Sequence, residues 1–72
     1  MYASPAEEQF AVLRFSAEWR VLRNGKDRGH FAYQVDAVDA ALRLAQEARK
    51  VGRVAEVLVQ DSSGQLNRVD PS

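Results

Sequence analysis

The sequence lacks cysteine entirely, so it can form neither disulfide bridges nor cysteine-ligated zinc sites. This absence fits a reducing compartment, and the expected location is the cytoplasm. Ten basic and ten acidic residues cancel, so no overall field would draw the molecule to nucleic acid or to an anionic membrane. Apolar runs such as 57–59 are too short to cross a bilayer, and the N-terminus lacks the pattern of a signal peptide. The composition indicates a small soluble protein whose binding surfaces are local.

Groups that carry out catalysis are also scarce. His30 is the only histidine, which argues against a nucleophile-histidine pair and against a transition-metal site within one chain. We expect His30 at a strand edge on the surface. No glycine-rich phosphate-binding motif is present. The sequence therefore predicts no enzymatic activity, no catalytic residue, no cofactor and no metal.

The length of 72 residues allows one small core with a narrow margin of stability, which a partner chain would increase. Residues 1–8 combine small residues, one proline and two glutamates with nothing to bury, so we predict a frayed N-terminus. Residues 9–70 are predicted to form a single domain.

Alternating side chains predict strands over residues 10–15 and 19–23, each apolar on both faces. Asn24-Gly25 favours a hairpin turn, because both residues tolerate positive φ. The polar segment 26–29 allows a loop longer than two residues before a third strand at 30–34.

A helical alternative covers residues 6–23, since Ser4 and Glu7 resemble a capping box and Gly25 could end the helix. Such a helix would carry large apolar side chains around its whole circumference, without a coherent solvent face. Strands are therefore the favoured interpretation of this segment.

An alanine-rich helix is predicted over residues 37–51, with apolar residues on one broad arc. Asp36 is the expected cap and Asp39 the expected first-turn charge; this role explains the two carboxylates better than a cation site does. Gly52 would end the helix. The small alanines at the centre of the arc let the helix approach a sheet closely, so the strands must supply the larger core side chains.

A last hairpin follows, with strands at 55–60 and 65–69 around a turn at 61–64. The predicted fold class is α+β, a small antiparallel sheet in β-β-β-α-β-β order packed on one helix. The predicted core consists of Val12, Trp19, Val21, Phe31, Tyr33, Val38, Leu42, Ala45, Val57, Val59 and Leu66.

This pattern resembles domain-of-unknown-function family 2188, a group of small, mostly bacterial proteins, over about residues 10–69. The residues that carry the resemblance are Phe10-Ala11-Val12, Trp19 and Val21, Phe31, the run 36–41, Ala45, Val57 and Val59, and Asp61-Ser62-Ser63-Gly64 with Leu66. The chain departs from the family where Gln34-Val35-Asp36 opens the helix and in a longer final turn. The resemblance implies the strand interpretation and a bacterial source, and it implies no activity.

Two surfaces could bind a partner. Leu13, Phe15, Leu22 and Leu58, together with Val69, would project from the side of the sheet that one helix cannot cover, which predicts self-association as a homodimer. The alternative is a nucleic-acid-binding or regulatory protein that uses the basic cluster Arg14, Arg20, Arg23, Lys26 and Arg28. Trp19 could stack on a base, but its alternation with Val21 favours a place in the core. The leading prediction is a non-enzymatic protein-interaction module with no small-molecule substrate.

Overall fold

The computed structural model describes residues 7–69, which form an α+β domain, as predicted. The predicted element order is also confirmed. The elements are β1 (Glu7–Phe15), β2 (Glu18–Arg23), β3 (Lys26–Phe31), α1 (Gln34–Lys50), β4 (Val54–Gln60) and β5 (Leu66–Arg68). The frayed end predicted for residues 1–8 falls mostly on residues 1–6, outside the described residues. For residues 7 and 8 the prediction was wrong, because β1 begins at Glu7.

The sheet is mixed, whereas an antiparallel sheet was predicted. Its strand order is β3-β2-β1-β4-β5, with β1 in the centre and β4 parallel to it. The helix explains the parallel pair, because it returns the chain along the sheet and β4 must then run in the direction of β3 and β1. The other three strand pairs are antiparallel.

Residues 7–23 form two strands joined by a tight turn, so the helical alternative for this segment is wrong. The second hairpin has a two-residue turn, Asn24-Gly25, with φ of 50° and 85°, and not the longer loop that the polar segment allowed. Two positive φ values give a turn whose twist matches the strands. A register shift beside Val21 and Leu22 absorbs the extra residue of β3.

The helix begins at Gln34, two residues before the predicted cap. Tyr33 is the N-cap and makes no side-chain cap bond, so the role predicted for Asp36 was wrong. Asp36 lies in the first turn instead, and Asp39 lies beyond it, 3.2 Å from Arg43 Nη2. At the other end, Gly52 with φ of 86° terminates the helix as predicted.

The core lies between four helix alanines and the covered face of the sheet. Its buried members are Ala37, Ala41, Ala45 and Ala48 on the helix and Phe10, Val12, Val21, Ala55, Val57 and Val59 on the sheet. Trp19, Phe31, Val38 and Leu42 pack at its margin. The predicted core positions of Tyr33 and Leu66 were wrong: they are 69% and 45% exposed, because β3 ends at Phe31 and β5 is a short edge strand. No helix within residues 7–69 is long and apolar enough to cross a membrane.

Candidate interaction surface

One helix covers one face of the sheet, and the opposite face carries the alternate residues of each strand. We call this surface the open face. Its apolar members are Ala11, Leu13, Phe15, Leu22 and Leu58, and they include four of the five residues predicted to project from the uncovered side. The prediction for Val69 was wrong, because Val69 follows Arg68 of the open face and its N–H donates to the carbonyl of Val57, a residue of the covered face. Leu13, Leu22 and Leu58 are half-buried, and Phe15 is 44% exposed. The open face therefore presents apolar side chains without a covering layer from residues 7–69.

A single cross-strand row runs the full width of the open face. In register order from β3 to β5 it consists of Asp27, Leu22, Ala11, Leu58 and Arg68. Residues in direct cross-strand register point to the same face of a sheet and contact one another. The row is apolar in its three central strands and carries opposite charges at its two edges. We call it the central row.

Arg20 organises the polar part of the open face beside β3. Its guanidinium lies 3.2 Å from Glu18 Oε2 and 3.3 Å from Asp27 Oδ2, and its Cζ stands 5.1 Å from the centre of the Phe15 ring. His30 Nδ1 is 3.5 Å from Glu18 Oε1, so the histidine lies on a strand at the surface, where it was predicted. Two carboxylates and the Phe15 ring thus hold the Arg20 side chain in place although it remains partly exposed.

Both sheet edges are poorly suited to pairing with another strand. The edge strand β3 carries Lys26, Asp27 and Arg28 and the register shift, while β5 has only three residues. Charged residues, irregularity and shortness are the usual protections of an edge. The face, and not the edge, is therefore the surface that a partner could cover.

The five predicted cations do not form one surface. Arg20 is on the open face, whereas Arg14 and Arg23 belong to the covered face at opposite ends of β1 and β2. Lys26 and Arg28 are exposed on the edge strand β3. The five cations are close in sequence, but the alternation of side chains along the strands distributes them over both faces and one edge of the sheet.

Glu8 is a buried polar residue that the sequence analysis missed. Its side chain is 2% exposed, on the covered face, with Arg23 Nε 2.7 Å from Oε1 and Arg23 Nη2 donating to Oε2 at 2.8 Å. Arg53 Nη1 also donates to Oε2. The hydrogen bonds from Arg23, and next those from Arg53, lower the pKa of this carboxyl, although burial opposes them. Its alternation with Phe10 and Val12 is the signal that could have placed Glu8 on the covered face.

The turn after β4 is closed by Asp61. Its Oδ1 accepts from Ser63 N, Ser63 Oγ and Gln65 N, and its Oδ2 accepts from Asn67 Nδ2. The hydrogen bonds from Ser63, followed by those from Asn67 and Gln65, lower the pKa of Asp61 to about 2. Both oxygens of the Asp61 carboxylate therefore accept hydrogen bonds from its own loop and stabilise it.

An open groove of about 560 Å³ runs between this turn and the end of β1. It is lined by Arg14, Trp19, Gln34, Gln60 and residues 61–64 among others. Trp19 is half-buried there and packs against the core, as predicted. The amides are already engaged, because Gln60 Oε1 accepts from Arg14 N and Gln34 Nε2 donates to Gln60 O. The groove thus has a structural role in joining the ends of three elements.

Among residues 7–69, no group of three or more histidine, aspartate or glutamate side chains is arranged to hold a metal ion. Asp36 and Asp39, in particular, are placed by the helix as described above. Comparisons with protein families, with curated proteins and with solved structures find no match to this chain.

Proposed function

We propose that this protein is a non-enzymatic interaction module that associates with a second copy of itself through the open face. The observation that carries the proposal is the central row, whose apolar side chains Leu22, Ala11 and Leu58 lie side by side on the uncovered side of the sheet. Burying apolar surface is the main favourable term in association. A second sheet stacked on this face would supply the missing layer.

The dimensions of the sheet support a dimer. Strands about 4.8 Å apart and residues rising about 3.4 Å each give a five-stranded face of about 24 by 20 Å. Two such faces in contact would remove about 1,000 Å² of surface, which is the size of a weak interface, below the roughly 1,200 Å² at which stable interfaces begin. The protected edges favour this stacking over the addition of strands at an edge.

Sedimentation velocity over a micromolar to millimolar concentration series tests the proposal. The unmodified protein should sediment as a dimer at the upper concentrations. Leu22→Lys should shift the equilibrium to monomer, since it places a charge in the apolar centre of the open face, where the charge reaches water in the monomer and would be buried in the dimer. Circular dichroism should show that this variant remains folded.

Val35→Lys is the matched control, because Val35 is an apolar helix residue that is 72% exposed, away from the open face. The control should dimerise as the unmodified protein does. A protein that stays monomeric throughout the series would refute the proposal, and so would a Leu22→Lys variant that dimerises normally.

The nucleic-acid alternative draws less support from the arrangement of the cations. Arg14, Arg20 and Arg23 lie on two faces, and Arg20 and Arg23 are each already paired with carboxylates. Phosphate contacts need several cations along one track, so a salt-sensitive shift with DNA or RNA would be the result that favours this alternative. The resemblance to family 2188 stays a prediction.

A further inference from the structure

We infer the symmetry of the dimer, an inference that rests on the proposed self-association. The two copies are related by a two-fold axis that runs parallel to β1, above Ala11. Each β3 edge then lies over the β5 edge of the partner. In this arrangement Asp27 of one copy meets the oppositely charged Arg68 of the other, once on each side of the axis.

The strand order makes this axis possible. Because β1 is the central strand, rotation about a line parallel to it places β2 over the partner's β4 and β3 over its β5. Leu22 then packs on Leu58 of the second copy at two symmetric positions. Ala11 meets its own copy at the axis, where a small side chain lets the sheets come close.

The charges select this axis over the perpendicular one. A two-fold axis along the central row would place Asp27 over Asp27 and Arg68 over Arg68, and like charges at both edges would oppose association. Rotation parallel to β1 reverses the row and brings opposite charges together. The central row is thus complementary to itself in one orientation only.

The charge distribution also explains why the partner is another copy. A complementary surface needs an apolar centre flanked by one cation and one anion about 19 Å apart, the width of four strand spacings. The chain itself carries this pattern, with Arg68 and Asp27 as the flanking groups. Self-complementarity is what a symmetric interface requires.

Charge reversal tests the inference by sedimentation. Asp27→Arg alone and Arg68→Asp alone should each weaken dimerisation on the order of tenfold or more, because each creates two like-charge contacts. The double variant Asp27→Arg/Arg68→Asp should regain the affinity of the unmodified protein. An equimolar mixture of the two single variants should form a heterodimer, since both of its contacts are again between opposite charges.

The outcomes separate this inference from the proposed function. A monomer at every concentration removes both. If Leu22→Lys disrupts the dimer but neither charge reversal weakens it, the open-face interface is supported and the inferred two-fold axis is wrong. A double variant as weak as the single variants also overturns the axis, because the reversed charges should then fit again.

A double-mutant cycle covers the case in which Asp27→Arg does not fold, since Asp27 Oδ1 accepts from Gly29 N within β3. Asp27→Asn and Arg68→Gln are then combined. The two residues are too far apart in one chain to interact directly, so a non-additive loss of dimer affinity reports contact between copies. Strictly additive losses would overturn the inference.

Discussion

Arg23 Nε lies 2.7 Å from Glu8 Oε1 on the covered face of the sheet, where an ion pair joins the end of β2 to the start of the central strand β1. Arg53, next to the helix end, contributes the second cation. The arginines are 35% and 45% exposed while the carboxylate is 2% exposed, so the cations reach in from the solvent to a buried anion. The three charged side chains line a cavity together with Ala48 and Val51 at this end of the core.

Replacing Glu8 by Gln should destabilise the protein by about 2 to 3 kcal/mol, because it removes the one anion between two cations. This loss of stability is smaller than is usual when one partner of a fully buried ion pair is removed, because both arginines are partly exposed and can turn toward water. Urea unfolding measures it. Asp39→Asn, which breaks an exposed pair with Arg43, is the control and should change the free energy of unfolding by about 0.5 kcal/mol or less.

Stability should fall on acidification, and Glu8 should contribute to the fall. Its pKa in the folded protein lies below the ordinary value of 4.5, so its stabilising effect is fully present above about that pH. The effect is lost as the pH decreases through the lowered folded pKa. Between neutral and acidic pH, the free energy of unfolding measured with urea should therefore decrease more steeply for the unmodified protein than for Glu8→Gln. Parallel curves would contradict the assignment.

The loop held by Asp61 should stay closed to a lower pH than it would if Asp61 had the ordinary pKa of an aspartate. The pKa is lowered from 3.8 to about 2, so the carboxylate holds the loop above pH 3.8 and releases it as the pH falls through about 2. Asp61→Ala should increase amide hydrogen exchange at Ser63 and Gln65 at neutral pH, because both amides lose their acceptor. Ser62→Ala, in the same loop, should leave those rates nearly unchanged.

Asn24 should tolerate aspartate far better than alanine. Its backbone N–H donates to Gln9 O, and its Oδ1 accepts from Gln9 N, both at 2.8 Å, with a positive φ of 50°. Alanine loses the side-chain acceptor and is strained at this φ, so thermal unfolding should show a loss of about 1 to 3 kcal/mol. Aspartate keeps the acceptor and tolerates the conformation, and equal losses for the two variants would contradict this role.

Ala45 should not accept a larger side chain. It is fully buried where the helix meets the sheet, so Ala45→Leu should cost about 1 to 3 kcal/mol in urea unfolding through overpacking. Gln46→Leu places the same side chain at the neighbouring exposed helix position, where it displaces nothing, and should change stability by about 0.5 kcal/mol or less. An Ala45→Leu protein as stable as the control would show that the interface is loose.

Local patterns predicted much of this fold. The alternation around Val12 and Val21 separated the two faces of the sheet, and the alanine arc with Gly52 located the helix and its end. These signals depend on neighbours within one element, which a sequence displays directly. Leu13, Phe15, Leu22 and Leu58 of the open face were predicted for the same reason.

Features that depend on distant elements were not predicted. Side chains alternate with a period of two in parallel and antiparallel strands alike, so the sequence pattern did not predict that β4 runs parallel to β1. Glu8 was assigned to a frayed end because its partners are 15 and 45 residues away. The cap at Tyr33 was missed because β3 ends at Phe31, which depends on the register with β2. The basic residues were predicted to form one cluster, but successive residues of a strand point to opposite faces of the sheet. Which faces Arg14, Arg20 and Arg23 share becomes clear only from the pairing of β1 with β2.

The placement of β1 at the centre of the sheet has a consequence during synthesis. During synthesis β1 can pair with β2 as soon as β2 has followed it, but its other side waits for β4, which begins only at Val54. Until then the nascent chain carries an apolar strand with one row of backbone groups unpaired, the state most exposed to misassembly. The sheet can therefore be completed only after β4 has been synthesised, and a product truncated before Val54 would lack the partner that closes its central strand.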